Sequence, residues 1–141
     1  MISEYIVDTS VILKWILCDA SEPDQEKAML LLKAWTAGTV NISAPSLWRY
    51  EVGNFLGREL PEEAEEKMKL LLNLNIRTME LSEAEHQLCF KWMKENKVTF
   101  YDASYLAAAY GLQATLVTAD SQFIKKMGET EHLSLLKDIQ I

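Results

Sequence analysis

The sequence predicts an α/β fold: a three-layer α/β/α sandwich around a mainly parallel sheet of four to five strands. Three observations support this. Short apolar segments of strand length alternate with longer segments whose apolar residues recur at helical spacing. Caps, prolines and glycines punctuate those segments where helices should start and stop. No repeat, linker or low-complexity stretch interrupts the 141 residues, so residues 1–141 read as a single domain. Alternation of this kind implies a parallel sheet covered on both faces, with right-handed crossovers and a ligand site outside the carboxyl ends of the strands.

The elements follow in order. Residues 4–8, Glu-Tyr-Ile-Val-Asp, read as a short buried strand ending in a carboxylate. Thr9 or Ser10 is expected to cap a helix from Val11 to Leu17. Pro23 should open a second helix, with Ala28, Leu31, Leu32 and Trp35 on its apolar stripe and Gly38 at its end. Asn41 to Ala44 is a second strand. Pro45 and Ser46 should start a helix to about Glu59, and Pro61 another, with Leu70, Leu71 and Leu74 on one face. Its opposite face carries the acids of Glu62-Glu63 and Glu65-Glu66, most simply a solvated first turn. Ile76 to Leu81 is a third strand. Ser82 and Glu85 form a capping box for a helix to about Glu95. Thr99 and Asp102 repeat that form before a helix to Tyr110, ended by Gly111. Ala114 to Thr118 is a fourth strand, Ser121 to Met127 a last helix stopped by Gly128, and Leu133 to Leu136 an edge strand.

Composition excludes several classes. The apolar fraction of 49% and charged fraction of 25% are those of a globular chain. No apolar run reaches membrane-spanning length, and the first residues lack the pattern of a signal peptide, so a cytoplasmic location is expected. Cys18 and Cys89 are far apart and read as reduced thiols. His86 and His132 are isolated, which leaves no zinc or haem pattern. Phosphate-loop and serine-nucleophile motifs are absent. The net charge of −7 is unusual for a nucleic-acid binder. It is less so if four of the acids hold a divalent cation, which inverts the local field and can itself grip a phosphate.

Four acids carry the chemical reading. Asp8 closes the first strand. Asp120 follows the fourth. Asp102 stands in the first turn of an unusually apolar helix and shares its stripe with Leu106 and Ala109. Glu51 lies within a helix, on one polar stripe with Asn54 and Arg58. Each alone also reads as a helix cap or a surface acid. Together they fall where a parallel sheet gathers ligands. Four ionised carboxylates packed together repel unless a cation compensates them. An all-oxygen site without His or Cys selects Mg²⁺, with Mn²⁺ possible.

These residues resemble a known family. Asp8-Thr9-Ser10-Val11-Ile12-Leu13-Lys14-Trp15, then Ala44-Pro45-Ser46-Leu47 leading to Tyr50-Glu51-Val52-Gly53-Asn54, then Tyr101-Asp102-Ala103 and Thr118-Ala119-Asp120 are similar in kind and order to the PIN domain. More narrowly, they resemble VapC-type ribonuclease toxins of toxin–antitoxin pairs. The resemblance implies Mg²⁺-dependent endonucleolytic cleavage of RNA, a homodimer, and inhibition by a cognate antitoxin. By position it makes Asp8, Glu51, Asp102 and Asp120 the catalytic, metal-holding set, with Ser10 and Thr118 orienting them. Lys14, Arg49 and Arg58 flank these acids and are candidates to contact substrate phosphates. Trp15, Trp35, Trp48 and Trp92 read first as core or dimer packing. Functionally, Trp15 and Trp48 with the second helix could line a groove for an antitoxin helix.

Two rivals belong to other classes. A receiver-like signalling domain needs a phosphoacceptor Asp after the third strand, where Thr78-Met79-Glu80-Leu81-Ser82 offers none. A catalytically silent binding module of the same fold is opposed by acids at all four positions.

Overall fold

The computed structural model describes residues 2–141. Five strands form one sheet: β1 (Ser3–Val7), β2 (Val40–Pro45), β3 (Arg77–Met79), β4 (Thr115–Thr118) and β5 (Leu133–Leu135). Their order is β3-β2-β1-β4-β5, and every neighbouring pair is parallel. The α-helices are α1 (Thr9–Leu17), α2 (Gln25–Thr36), α3 (Trp48–Glu59), α4 (Ala64–Asn73), α5 (Glu83–Asn96), α6 (Phe100–Leu112) and α7 (Ser121–Met127). The expected class is found, with a parallel sheet at the upper end of the expected strand number.

Adjacent strand residues point to opposite faces, and Ile6 and Val7 of β1 are both fully buried. Both faces of the sheet are therefore covered, as parallel strands require. Helix α6 is buried without interruption from Ala103 to Ala109. Its small residues let it lie close against β1, β2 and β4, with α5 behind it. Gly111 belongs to the same close fit: a Cβ there would stand 2.3 Å from Glu85 Oε2 of α5.

The strand order determines where a ligand can bind. The chain runs from β1 outward through β2 to β3, then returns to the other side of β1 for β4 and β5. Connections leave in opposite directions from β1 and β4. A crevice therefore opens at the carboxyl ends of these two strands.

Several boundaries differ from expectation. Asp8, not Thr9 or Ser10, is the cap of α1, its carboxylate accepting from the Val11 N–H. Pro45 ends β2 rather than opening a helix. The ladder passes beyond it, Ser46 N–H donating to Met79 O at 3.2 Å, because proline lacks only its own N–H. Helix α3 thus begins at Trp48, which places Glu51 in its first turn. Helices α2 and α4 likewise start after turns that follow Pro23 and Pro61. Gly111 is inside α6; Gln113 takes the left-handed cap position instead, with φ 54°. The Ser82–Glu85 capping box is present as expected.

The tryptophan groove is not there. Trp15 and Trp48 are 4% and 1% exposed, so neither can line a surface groove, and the core-packing reading holds. The Trp15 indole N–H donates to Ala28 O at 2.9 Å, and its ring stacks on Trp35. Trp92 packs against Tyr110. Both cysteines are free. Burial pushes the Cys89 thiol up to about 11, which leaves it protonated and unreactive.

Candidate active site

Four helix N-termini meet at the carboxyl edge of the sheet, and each carries one of the four acids. Asp8 is the N-cap of α1 and Asp120 the N-cap of α7. Glu51 and Asp102 occupy the first turns of α3 and α6. The arrangement follows from the fold, since helices in a parallel α/β sheet run back against their strands. A carboxylate is favoured at each position by unpaired N–H groups and by the positive end of the helix dipole. Asp120 shows this directly: Oδ1 accepts from the Gln122 and Phe123 N–H groups at 3.0 and 3.1 Å. Capping a helix and lining the cavity are thus compatible for one residue.

The four carboxylates line a single cavity of about 280 Å³, together with Thr9, Ser10, Leu13 and Tyr105. Asp8 is the most constrained. Ser10 donates its hydroxyl hydrogen to Asp8 Oδ1 at 2.5 Å, and Thr118 donates to Oδ2 at 2.5 Å. Those hydroxyls are themselves held by the backbone after β4. The Ala119 N–H donates to Ser10 Oγ at 2.9 Å, and the Asp120 N–H to Thr118 Oγ1 at 3.0 Å. One network of hydroxyls therefore locks Asp8 to the loop that carries Asp120. Ser10 and Thr118, the two hydroxyls expected to orient the acids, thus both donate to Asp8.

Glu51 is held by two residues the sequence reading did not single out. Thr9 donates to Glu51 Oε1 at 2.9 Å and Tyr105 to the same oxygen at 2.6 Å. The signal was available. Tyr105 lies three residues after Asp102 in a helix of alanines, where a buried phenol must find an acceptor. Burial and the bond to Glu51 push its hydroxyl well above the usual phenol range, so it stays a donor. Tyr105→Phe should leave Glu51 with Thr9 alone. We expect activity to fall about tenfold, in the range for residues that orient metal-binding carboxylates. Unchanged kcat and unchanged metal dependence in Tyr105→Phe would remove Tyr105 from this role.

The electrostatics are those of crowded acids. Burial pushes the Asp8 carboxyl up to about 6, with the nearby Asp102 charge adding to the rise and the Ser10 and Thr118 hydrogen bonds opposing it. Asp102 is also raised, first by lost hydration and then by Asp120 and Glu51. Its residue surface nonetheless remains exposed at the mouth of the cavity, rather than turned to the core side as its stripe suggested.

The candidate phosphate contacts do not join this cavity. Lys14 is drawn to the α1–α2 loop, donating to Pro23 O at 2.9 Å and pairing with Glu22 at 3.5 Å. Arg58 pairs with its neighbour Glu59. Arg49 is exposed on α3.

The donor set consists of carboxylate and hydroxyl oxygens, with excess negative charge and no cationic side chain lining the cavity. That chemistry fits a hard divalent cation. Among the described residues no three His, Cys, Asp or Glu side chains close around one point.

Comparison with known proteins places this geometry in context. A PIN domain family model matches residues 5–129. No curated protein matches the sequence. Among solved structures, PAE2754 from Pyrobaculum aerophilum is 23% identical with a TM-score of 0.67, over 97% of this chain and 93% of that one. A toxin–antitoxin complex from Klebsiella pneumoniae is 16% identical with a TM-score of 0.70, over 96% and 99%. VapC20 from Mycobacterium tuberculosis, a sarcin–ricin loop cleaving toxin, is 14% identical with a TM-score of 0.64, over 90% and 97%. At these identities the structural likeness shows a shared fold.

Proposed function

The chain belongs to the PIN domain family, and from that premise we propose that it is a divalent-metal-dependent endoribonuclease, the toxin of a toxin–antitoxin pair. The observation that carries this reading is the meeting of Asp8, Glu51, Asp102 and Asp120, from four separate segments, around one cavity.

Asp8 and Asp102 would hold Mg²⁺, or Mn²⁺ in its place, with Glu51 and Asp120 reaching it directly or through water. When bound, such an ion supplies charge to the scissile phosphate and activates water for in-line attack. The protein's own part is positional. Ser10 and Thr118 keep both Asp8 oxygens in one orientation. Thr9 and Tyr105 do the same for Glu51, with the proton retained on Tyr105 Oη. The α1, α3, α6 and α7 N-termini offset part of the repulsion among the acids before any ion arrives. This route does not need the ribose 2′-hydroxyl. RNA is favoured by the nature of the neighbours, one of which is a sarcin–ricin loop cleaving toxin.

The same neighbours include a toxin–antitoxin complex, so an antitoxin is the partner this reading carries, with a second copy of the chain as the other. An antitoxin Arg or Lys entering the cavity would compete with the metal. The decisive assay offers labelled RNA and DNA oligonucleotides to the chain with Mg²⁺, with Mn²⁺, and with chelator. Metal-dependent scission of RNA, suppressed by the antitoxin, is the expected result. Cleavage that survives chelation, or no cleavage of any RNA, rejects the proposal.

A further inference from the structure

We propose that the outward stripe of α5, together with the last turn of α7, is a track for single-stranded RNA leading to the carboxylate cavity. It rests on the nuclease reading above and names where the substrate strand lies.

The chain is acidic, at −7, yet its basic residues are not evenly spread. Lys91, Lys94 and Lys97 fall on α5 and its cap, and Lys125 and Lys126 on the last turn of α7. These two groups adjoin: Asn96 Nδ2, next to Lys97, donates to Lys126 O at 3.1 Å. The ion pairs among the described residues occupy Lys14, Arg58 and Lys67, so none of the five is neutralised by an acid. Glu83 and Glu85 open the same helix, Glu95 closes it and Glu129 lies just beyond α7, but the half of the helix nearest α7, residues 90–97, keeps three lysines against one acid.

The track reaches the site. Lys97 caps α5 immediately before α6, whose first turn carries Asp102. Asn96, one residue before Lys97, holds the Lys126 carbonyl, so both basic groups lie at the end of α5 that leads into α6. Aromatic rings accompany the lysines. Phe90 shares a stripe with Lys94 and Lys97 at four and seven residues, is 61% exposed, and leans on Phe100 of α6. Tyr101, beside Asp102, is 59% exposed. Exposed rings alternating with unpaired cations match a flexible polyanion with accessible bases: lysines take phosphates, and rings take unstacked base faces. A duplex hides those faces, so the fit is to a single strand.

The test measures binding of a fluorescent mixed-sequence single-stranded RNA across a salt series, in an Asp8→Asn background so that the strand survives. Each lost phosphate contact should flatten the log–log salt slope by about 0.7. Lys94→Gln/Lys97→Gln/Lys126→Gln should therefore flatten it by about 2. Phe90→Ala should weaken binding about tenfold at every salt concentration without changing the slope. Lys33→Gln/Lys69→Gln, on α2 and α4, should bind like the parent. All these side chains are exposed, so the variants should fold.

A triple variant with the parent's slope overturns the track, as does a parent that binds no RNA. So does sedimentation in which the substitutions split a two-chain particle while RNA binding is unaffected, which would mark the face as a contact between copies. The two readings separate cleanly. A chain that never cuts RNA but loses slope as stated fails only as a nuclease, whereas one that cuts RNA with its slope unchanged fails only in the track.

Discussion

Asp8→Asn is expected to abolish cleavage and, in the absence of metal, to make the folded chain more stable at neutral pH. The two effects have one cause. Asp8 is partly buried among hydroxyls and acids, and its carboxyl is pushed up to about 6 from an ordinary 3.8. The folded chain therefore binds this proton more tightly than the unfolded chain. Between those two pH values the unfolded state loses its proton first, so this carboxyl's contribution to stability falls as pH rises, then stays level. The shift corresponds to about 3 kcal/mol at neutral pH. Asparagine carries no charge and avoids that cost, while its amide still meets Ser10 and Thr118. Orienting residues around a metal cost about 10–100-fold when removed, and a direct ligand should cost more. Urea unfolding in chelator should show Asp8→Asn above the parent at about pH 7, with the gap closing toward about pH 4. Equal stability at both pH values would mean that Asp8 is not charged against its surroundings. Cleavage at the parent's rate would remove it from the site.

Thr118→Val should cost about 10–100-fold in metal affinity and in kcat, with KM for RNA little changed. Valine nearly reproduces the shape of threonine, so the buried packing survives. What is lost is the hydroxyl that donates to Asp8 Oδ2 and accepts the Asp120 N–H. Two acids on different elements are thereby uncoupled, and the Asp120 N–H loses its partner, at about 1–3 kcal/mol if it stays dry. Thr118→Ser restores the hydroxyl and should restore metal binding. Calorimetric titration with Mn²⁺ reads this directly. If serine and valine behave alike, Thr118 is only a packing residue.

The legible parts of this protein were those set by nearest neighbours along the chain. The Ser82–Glu85 capping box, Gly128 after α7 and the apolar run of α6 were read correctly because caps and periodicity act within a turn or two. Where sequence reading went astray, a local rule met a competing contact. Pro45 looked like a helix opener, but β2 needed its length to pair with β3. Gly111 looked like a stop, but it lies inside α6, where the Glu85 carboxylate occupies the space a side chain would take and would have to move aside for one. Lys14 looked available for phosphate, but the following loop folds back onto its ammonium group. For Trp15 and Trp48 only the lesser reading, a groove, fails; their burial agrees with the core packing read first.

Local patterning along the chain specifies the alternation of strands and helices, and with it a parallel sheet whose carboxyl edge receives acids from separate segments. That much follows from hydrophobic period and from the chemistry of helix starts, both of which are short-range. Long-range packing sets which hydroxyls hold which carboxylates, brings Tyr105 to Glu51, and gathers the unpaired lysines beside α6. Those pairings join residues as far apart as Asp8 and Thr118. They exist because strand order places β4 against β1, a choice made by packing the whole chain rather than by any stretch of it.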